Sequence, residues 1–245
     1  MRFLALVVLL LTMSSVMASG HGPSLDSANI HLEDRQSIKR GAKLFVHYCL
    51  NCHSAELMRY SRIGQDLGMT EDEVSSELIT TGAKVGGVME VAIEKQDATR
   101  WFGKAPPDLS VISRARGVDW LYTYLRSFYR DESRPWGVNN TVFKDVGMPH
   151  VLWELQGLQV PDFEEVVDEH GTKRQIITGF KLVEKGKLNA QEYDEVVRDI
   201  VTFLAYLGEP SKLQRLALGK WVLLFLAGFL VLMYLLKKEY WKDIH

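Results

Sequence analysis

The 245-residue sequence predicts a mainly α domain with a small β-hairpin insertion and one C-terminal transmembrane helix. Two capping boxes, Thr70 with Glu73 and Asn189 with Glu192, each open an amphipathic stretch. Alternating segments at Phe163–Val167 and Gln175–Val183 flank His170-Gly171 and read as the hairpin. From Leu216 to Leu236 the only charged residue is Lys220, near one end, where its chain can snorkel.

At the N-terminus, Met1-Arg2-Phe3 precedes an apolar run to Leu11 and small residues ending in Val16-Met17-Ala18. One positive charge, a short apolar core and an A-x-A-like site mark residues 1–18 as a secretory signal peptide, with an uncleaved anchor as the alternative. Residues 19–36 read as a loose polar lead-in. A helix then fits Ser37 to about Tyr48, with Gly41, Phe45 and Cys49 recurring on one face. The Thr70 box starts a helix to about Thr80, closed by Gly82, Gly86 and Gly87.

Residues 100–110 read as a loop whose direction is set by Pro106-Pro107. Asp119 to Tyr129 is an aromatic-rich amphipathic helix. Residues 131–149 hold Pro135, Gly137, Asn139, Asn140 and Gly147 and read as a long irregular segment, of the kind that usually has a task. The Asn189 helix runs to Leu207 and stops at Gly208 and Pro210. These boundaries give an exported domain over 19–210, an anchor over 211–236 and a tail over 237–245.

The 21 residues from Leu216 to Leu236 span about 31 Å as a helix, enough to cross a bilayer core. Trp221, Tyr234, Tyr240 and Trp241 stand near the expected interfaces. Three basic residues flank each end, so orientation rests on the signal peptide, which exports the body and leaves the tail cytoplasmic. The formal net charge of −2 hides an acidic body, because residues 19–210 carry 22 basic and 29 acidic side chains. That balance argues against a nucleic-acid partner and admits a basic protein partner.

The two cysteines stand in Cys49-Leu50-Asn51-Cys52-His53, a C-x-x-C-H motif. Three chemistries use such a pattern. A zinc site needs about four ligands, and no second Cys or His pair stands at zinc spacing. A redox dithiol needs no following histidine. Haem attachment accounts for both thiols, one helical turn apart for two vinyl groups, and for His53 as the iron ligand. The reading is therefore one covalently bound haem c on Cys49, Cys52 and His53.

For the sixth ligand, Met58 follows His53 too closely to reach the opposite face. Met148 lies far downstream between Gly147, which permits close backbone approach, and Pro149, which keeps the preceding residue extended. Met148 is the candidate and His150 its rival. The remaining histidines, His150 included when it is not a ligand, read as surface residues. A thioether ligand closes the iron to substrate and favours its reduced state, so it points to electron transfer, whereas an open position would suit a haem enzyme or gas sensor.

The chain resembles cytochrome c1, the haem subunit of the quinol–cytochrome c reductase (bc1) complex, in its short bacterial form. The resemblance rests on Cys49 to Ser54 with Met58-Arg59-Tyr60, Ala105-Pro106-Pro107-Asp108-Leu109-Ser110, Arg114-Ala115-Arg116 with Asp119-Trp120, and Gly147-Met148-Pro149. It implies a class I c-type cytochrome fold, with Met148 as axial ligand, Arg116 near a haem propionate, and Pro106, Pro107 and Trp120 lining the pocket. The family often has Tyr where Trp120 stands, after a longer glycine-containing segment.

The resemblance also implies partners: a cytochrome b subunit, a Rieske iron–sulfur subunit as electron donor and a cytochrome c as acceptor. The chain is then an electron carrier within an enzyme complex and not an enzyme by itself. It would sit in a bacterial inner membrane with its haem domain in the periplasm. A free-standing membrane-anchored carrier is the alternative. Glu71-Asp72-Glu73 and Glu164-Glu165 with Asp168-Glu169 are acidic clusters able to steer a basic cytochrome.

Overall fold

The computed structural model describes residues 24–91, 93–167 and 173–243. The expected signal peptide and His21, His170 and His245 lie outside these residues. In chain order the elements are α1 (Arg35–Tyr48), β1 (Ala55–Arg59), α2 (Tyr60–Leu67), α3 (Glu71–Leu78), β2 (Val88–Met89), α4 (Lys95–Phe102), α5 (Ile112–Arg116), α6 (Val118–Arg126), β3 (Phe128–Arg130), β4 (Val138–Asn140), α7 (Trp153–Gln156), β5 (Gly157–Val167), β6 (Lys173–Lys185), α8 (Ala190–Gly208) and α9 (Lys212–Tyr240). The strands form three antiparallel pairs, β1 with β2, β3 with β4 and β5 with β6.

The core forms where α1 packs against α8, and α6 packs against α8 beside it. Gly41 lets the two long helices meet: an added Cβ there would stand 2.7 Å from the carbonyl carbon of Asp199 and 2.8 Å from Phe203 Cβ. Phe45 and Phe203, both fully buried, lie with ring centroids 5.4 Å apart beside that crossing. A polar clamp fixes the register. Ser37 Oγ donates to Asp199 Oδ1 at 2.6 Å, and Arg40 Nε donates to Asp199 Oδ2 at 2.6 Å.

Both predicted capping boxes are present, Thr70–Glu73 on α3 and Asn189–Glu192 on α8. The first helix starts two residues before Ser37, because the Asp34 carboxylate caps the amides of Gln36 and Ser37. α3 ends at Leu78, ahead of the predicted glycines, where Ile79 turns extended. Residues 100–102, read as loop, belong to α4.

The helix expected over Asp119–Tyr129 stops at Arg126, and Phe128–Arg130 pairs with Val138–Asn140 instead. Distant side chains end it. Asn140 Nδ2 donates to the Tyr124 carbonyl at 2.8 Å, and Gln156 and Gln159 donate to the Arg126 carbonyl at 2.9 and 3.0 Å. The segment 131–149 is accordingly not wholly irregular, since it contains β4.

The lead-in is not loose over the residues described. Asp26 N–H donates to Thr123 Oγ1 and Ala28 N–H to Asp119 Oδ1, each at 2.8 Å, and Ala28 is fully buried. The hairpin is longer than its alternating pattern, pairing Gly157–Val167 with Lys173–Lys185 through two irregularities, and its predicted His170-Gly171 turn lies outside the described residues.

α9 begins at Lys212, just beyond the junction where Glu209 pairs with Arg215 at 2.5 Å and Arg114 at 3.6 Å. With 29 residues and a mean hydropathy of 2.2, it is long and apolar enough to cross a membrane, and its apolar window is not buried against the rest of the chain.

Candidate haem-binding site

The motif unrolls from the last turn of α1. Cys49 N–H still donates to the Phe45 carbonyl at 2.8 Å, while Cys52 and His53 N–H return to the Cys49 carbonyl at 3.0 and 2.8 Å. The residues between the thiols do separate work. Leu50 is 1% exposed and anchors the turn in the core, and Asn51 Nδ2 caps the His47 carbonyl at 2.9 Å. Both cysteines are half-buried and free.

His53 is held from one side. Its Nδ1 lies 2.8 Å from the Pro107 carbonyl oxygen, an atom that only accepts, so Nδ1 carries the proton and Nε2 keeps its lone pair. The Pro106-Pro107 loop owes its place to a set of clasps. Asp108 Oδ2 accepts from Glu56 N–H and Asp108 Oδ1 from Ser110 N–H, both at 2.8 Å. Leu109 N–H donates to the Ser54 carbonyl at 2.8 Å, and Leu57 N–H to Ser110 Oγ at 3.1 Å. The A-P-P-D-L-S segment is thus laced to the residues that follow the motif.

The other candidate residues cluster along α6. Tyr124 Oη donates to Met148 Sδ at 3.3 Å. Met148 is half-buried against a small cluster of Phe128, Val138 and Val146. Trp120 stacks on Tyr124 with centroids 4.9 Å apart, and the Arg116 guanidinium stands 5.0 Å above Trp120 and 5.7 Å from Phe143. Gly117, at φ 89°, makes the turn between α5 and α6 that sets Arg116 against Trp120. A Cβ on Gly147 would meet only the Phe102 carbonyl, at 4.0 Å, so packing within the protein does not demand glycine there.

Met58 and Met89 are core residues, 3% and 0% exposed, on the paired strands β1 and β2. His150 departs from the expectation. It is buried, stacked flat on Phe128 at 5.0 Å, and its Nε2 has no protein partner among the described residues. A histidine beside Pro149 looks solvent-facing in sequence, but Phe128, 22 positions away, covers it. Burial pushes its pKa down to about 4, so it is neutral.

Charge states bear on the chemistries that a C-x-x-C-H motif admits. Burial pushes the Cys49 thiol up to about 12, with Cys52 adding to the shift, and burial raises Cys52 as well. Thiols so placed are poor thiolates on their own, which weakens the redox-dithiol reading. Thioethers are neutral, and burial costs them little. Burial also lowers His53, keeping its imidazole neutral as a ligand must be. Among the described residues no group of three or more His, Cys, Asp or Glu side chains converges on a metal position. The donor set therefore fits a haem c: two thiols on one turn, an oriented imidazole, and a half-exposed thioether.

A family model described as "Cytochrome C1 family" matches residues 27–159 and 174–244. The chain belongs to the cytochrome c1 family. It is 51% identical to cytochrome c1 of Allochromatium vinosum over 97% of this chain and 96% of that one. It is 50% identical to a Nitrosomonas europaea protein named ammonia monooxygenase gamma subunit, over 100% of this chain and 98% of that one. Cytochrome c1 of Rhodospirillum rubrum is 26% identical over 86% of this chain and 83% of the relative. Cytochrome c1 is an electron-transfer haem protein of the bc1 complex, so family and geometry agree on the class of cofactor.

Tyr124, Phe128, Asp108 and Ser54 escaped the sequence reading as site residues. Their roles depend on partners between 22 and 55 positions away, and no local period carries that information.

Proposed function

We propose that this chain carries one haem c, bound through Cys49 and Cys52 with His53 and Met148 as axial ligands. It takes one electron from a Rieske iron–sulfur subunit and passes it to a cytochrome c, within a complex that also holds a cytochrome b subunit. Its domain over 19–210 stands in the periplasm of a bacterial inner membrane, and the chain end beyond the anchor lies in the cytoplasm. By itself it is an electron carrier; catalysis belongs to the complex.

The observation that carries this reading is the Pro107 carbonyl on His53 Nδ1, which leaves Nε2 free beside two thiols on one turn. The haem supplies reversible one-electron chemistry. The protein's own residues fix the imidazole tautomer, aim the Met148 sulfur and narrow water's access. Pro106 and Pro107 form one wall and Trp120 another. Arg116, braced over Trp120, would balance a propionate. The open space over Gly147 suits a ring lying against the backbone.

Of the acidic clusters, Glu73 is committed to capping Thr70 and pairs with Lys39 at 3.8 Å, which leaves Glu71 and Asp72 at that site to steer a basic acceptor. Asp168 and Glu169 lie outside the described residues.

The test is gentle solubilisation, purification through a tag on this chain, and reduced-minus-oxidised spectra of what accompanies it. Co-purifying b-type haem with quinol-dependent reduction of the c-type band supports the reading. A lone c-type band, under conditions that keep such complexes intact, replaces it with the free-standing membrane carrier.

A further inference from the structure

Tyr124 donates a hydrogen bond to Met148, and neighbouring rings pack against it on two sides. Trp120 stacks on its ring at 4.9 Å and 10°, and Phe128 meets it edge-on at 5.1 Å and 68°. Phe128 stacks in turn on His150 at 5.0 Å and 3°, two residues beyond Met148. Trp120, Tyr124 and Phe128 therefore form a column of rings that ends on His150, and the Tyr124 carbonyl is tied to Asn140 Nδ2 at 2.8 Å. The hydroxyl at the centre of this column donates to Met148 Sδ at 3.3 Å, within the range for a hydrogen bond to sulfur.

We propose that Tyr124 is a positioning residue for the thioether ligand: its hydroxyl aims the Met148 sulfur and draws electron density from it, raising the reduction potential. The proposal rests on the assignment of Met148 as axial ligand. A sulfur that shares a lone pair with a hydroxyl gives less density to a metal. The oxidised metal needs that density more than the reduced one, so the reduced state gains. The same bond fixes which lone pair of the sulfur remains for the metal. The stacked rings hold the donor in place in both redox states, so little reorganisation accompanies electron transfer.

The experiment is redox titration of the c-type band in the full-length, membrane-bound holoprotein carrying Tyr124→Phe. It is paired with the weak far-red band that a thioether gives with ferric haem. Phenylalanine keeps the ring and its stacking on Trp120, so a purely structural role predicts no change in either signal. The expected result is a lower potential, with the reduced-to-oxidised ratio at fixed ambient potential falling three- to tenfold, tenfold being about 59 mV for one electron. The far-red band should also move.

A second variant with 3-fluorotyrosine at position 124, a stronger donor of the same shape, should move the potential the other way. Unchanged potential and band in both variants overturn the proposal, as does a shift of the same sign in both. Met148→Ala measured alongside separates the two claims. If it keeps the far-red band, the ligand assignment fails. If it loses the band while both position-124 variants behave as wild type, only the role of Tyr124 fails.

Discussion

Gly41→Ala tests the joint on which the whole site is built. In an exposed helix the change would stabilise by about 1 kcal/mol, because alanine loses less entropy than glycine on becoming helical. Here the new methyl would stand 2.7 Å from the Asp199 carbonyl carbon and 2.8 Å from Phe203 Cβ. Ordinary contact begins at 3.4 Å, so α8 must retreat from α1 by more than about 0.7 Å. A gap of that size forfeits about a quarter to a half of the dispersion attraction between facing atoms.

The side chains that lose it include Phe45, Val197, Ile200 and Phe203, each 1% exposed or less. The clamp on Asp199 by Ser37 and Arg40 is strained at the same time. Overpacking of this kind costs roughly 1–3 kcal/mol; a backbone neighbour cannot swing aside, so the cost falls at the upper end and the net loss, after the helix gain of about 1 kcal/mol, should be about 2 kcal/mol. The assay is chemical denaturation of the detergent-solubilised holoprotein followed by circular dichroism. Gly219→Ala, where a Cβ meets nothing within 4 Å, serves as the control. Equal midpoints for Gly41→Ala and the control would refute the argument that this crossing requires glycine.

Asp108→Ala frees the amides of Glu56 and Ser110, so the Pro107 loop should loosen, with a cost of about 1–2 kcal/mol and a changed haem spectrum from a less constrained His53; an unaltered spectrum and melt would contradict this. Arg126→Lys replaces a fork that grips Asp194 at 2.6 and 3.2 Å and also reaches Asp26, and a lysine cannot make the paired contact. Faster proteolysis within residues 24–34 is expected, by several-fold, and unchanged cleavage there would count against the clamp. Hydrogen bonds from Ser133 and Asn139 hold the Asp131 carboxyl below its usual range. Its native pKa lies under the unfolded value of about 4, so its stabilisation is present above that pH and is lost as pH falls through the native pKa. Hydrogen exchange over 131–145 should accelerate on acidification relative to Asp131→Asn; matched profiles in the two proteins would exclude the effect.

Much of this protein is written in short-range pattern. C-x-x-C-H is legible as a candidate haem motif because both thiols and the imidazole sit within one turn of chain. The capping boxes at Thr70 and Asn189 are legible because each hydrogen bond closes within three residues. The membrane-length helix α9 is legible because hydropathy is read along a single helix, whose backbone bonds close within itself.

What the tertiary structure decided lies between distant residues. Asp119–Tyr129 has helical periodicity throughout, yet the helix ends at Arg126 because Asn140, Gln156 and Gln159 supply its terminal carbonyls with donors. His150 looks like a surface histidine until Phe128 covers it. Tyr124 is one aromatic among several on α6 until folding sets its hydroxyl on the Met148 sulfur, 24 residues away. Covalent motifs and caps are local because their bonds span a few atoms of chain. Burial and side-chain pairing are set by where the chain returns, and that return is specified by the whole core, with the α1–α8 crossing at Gly41 as its tightest point.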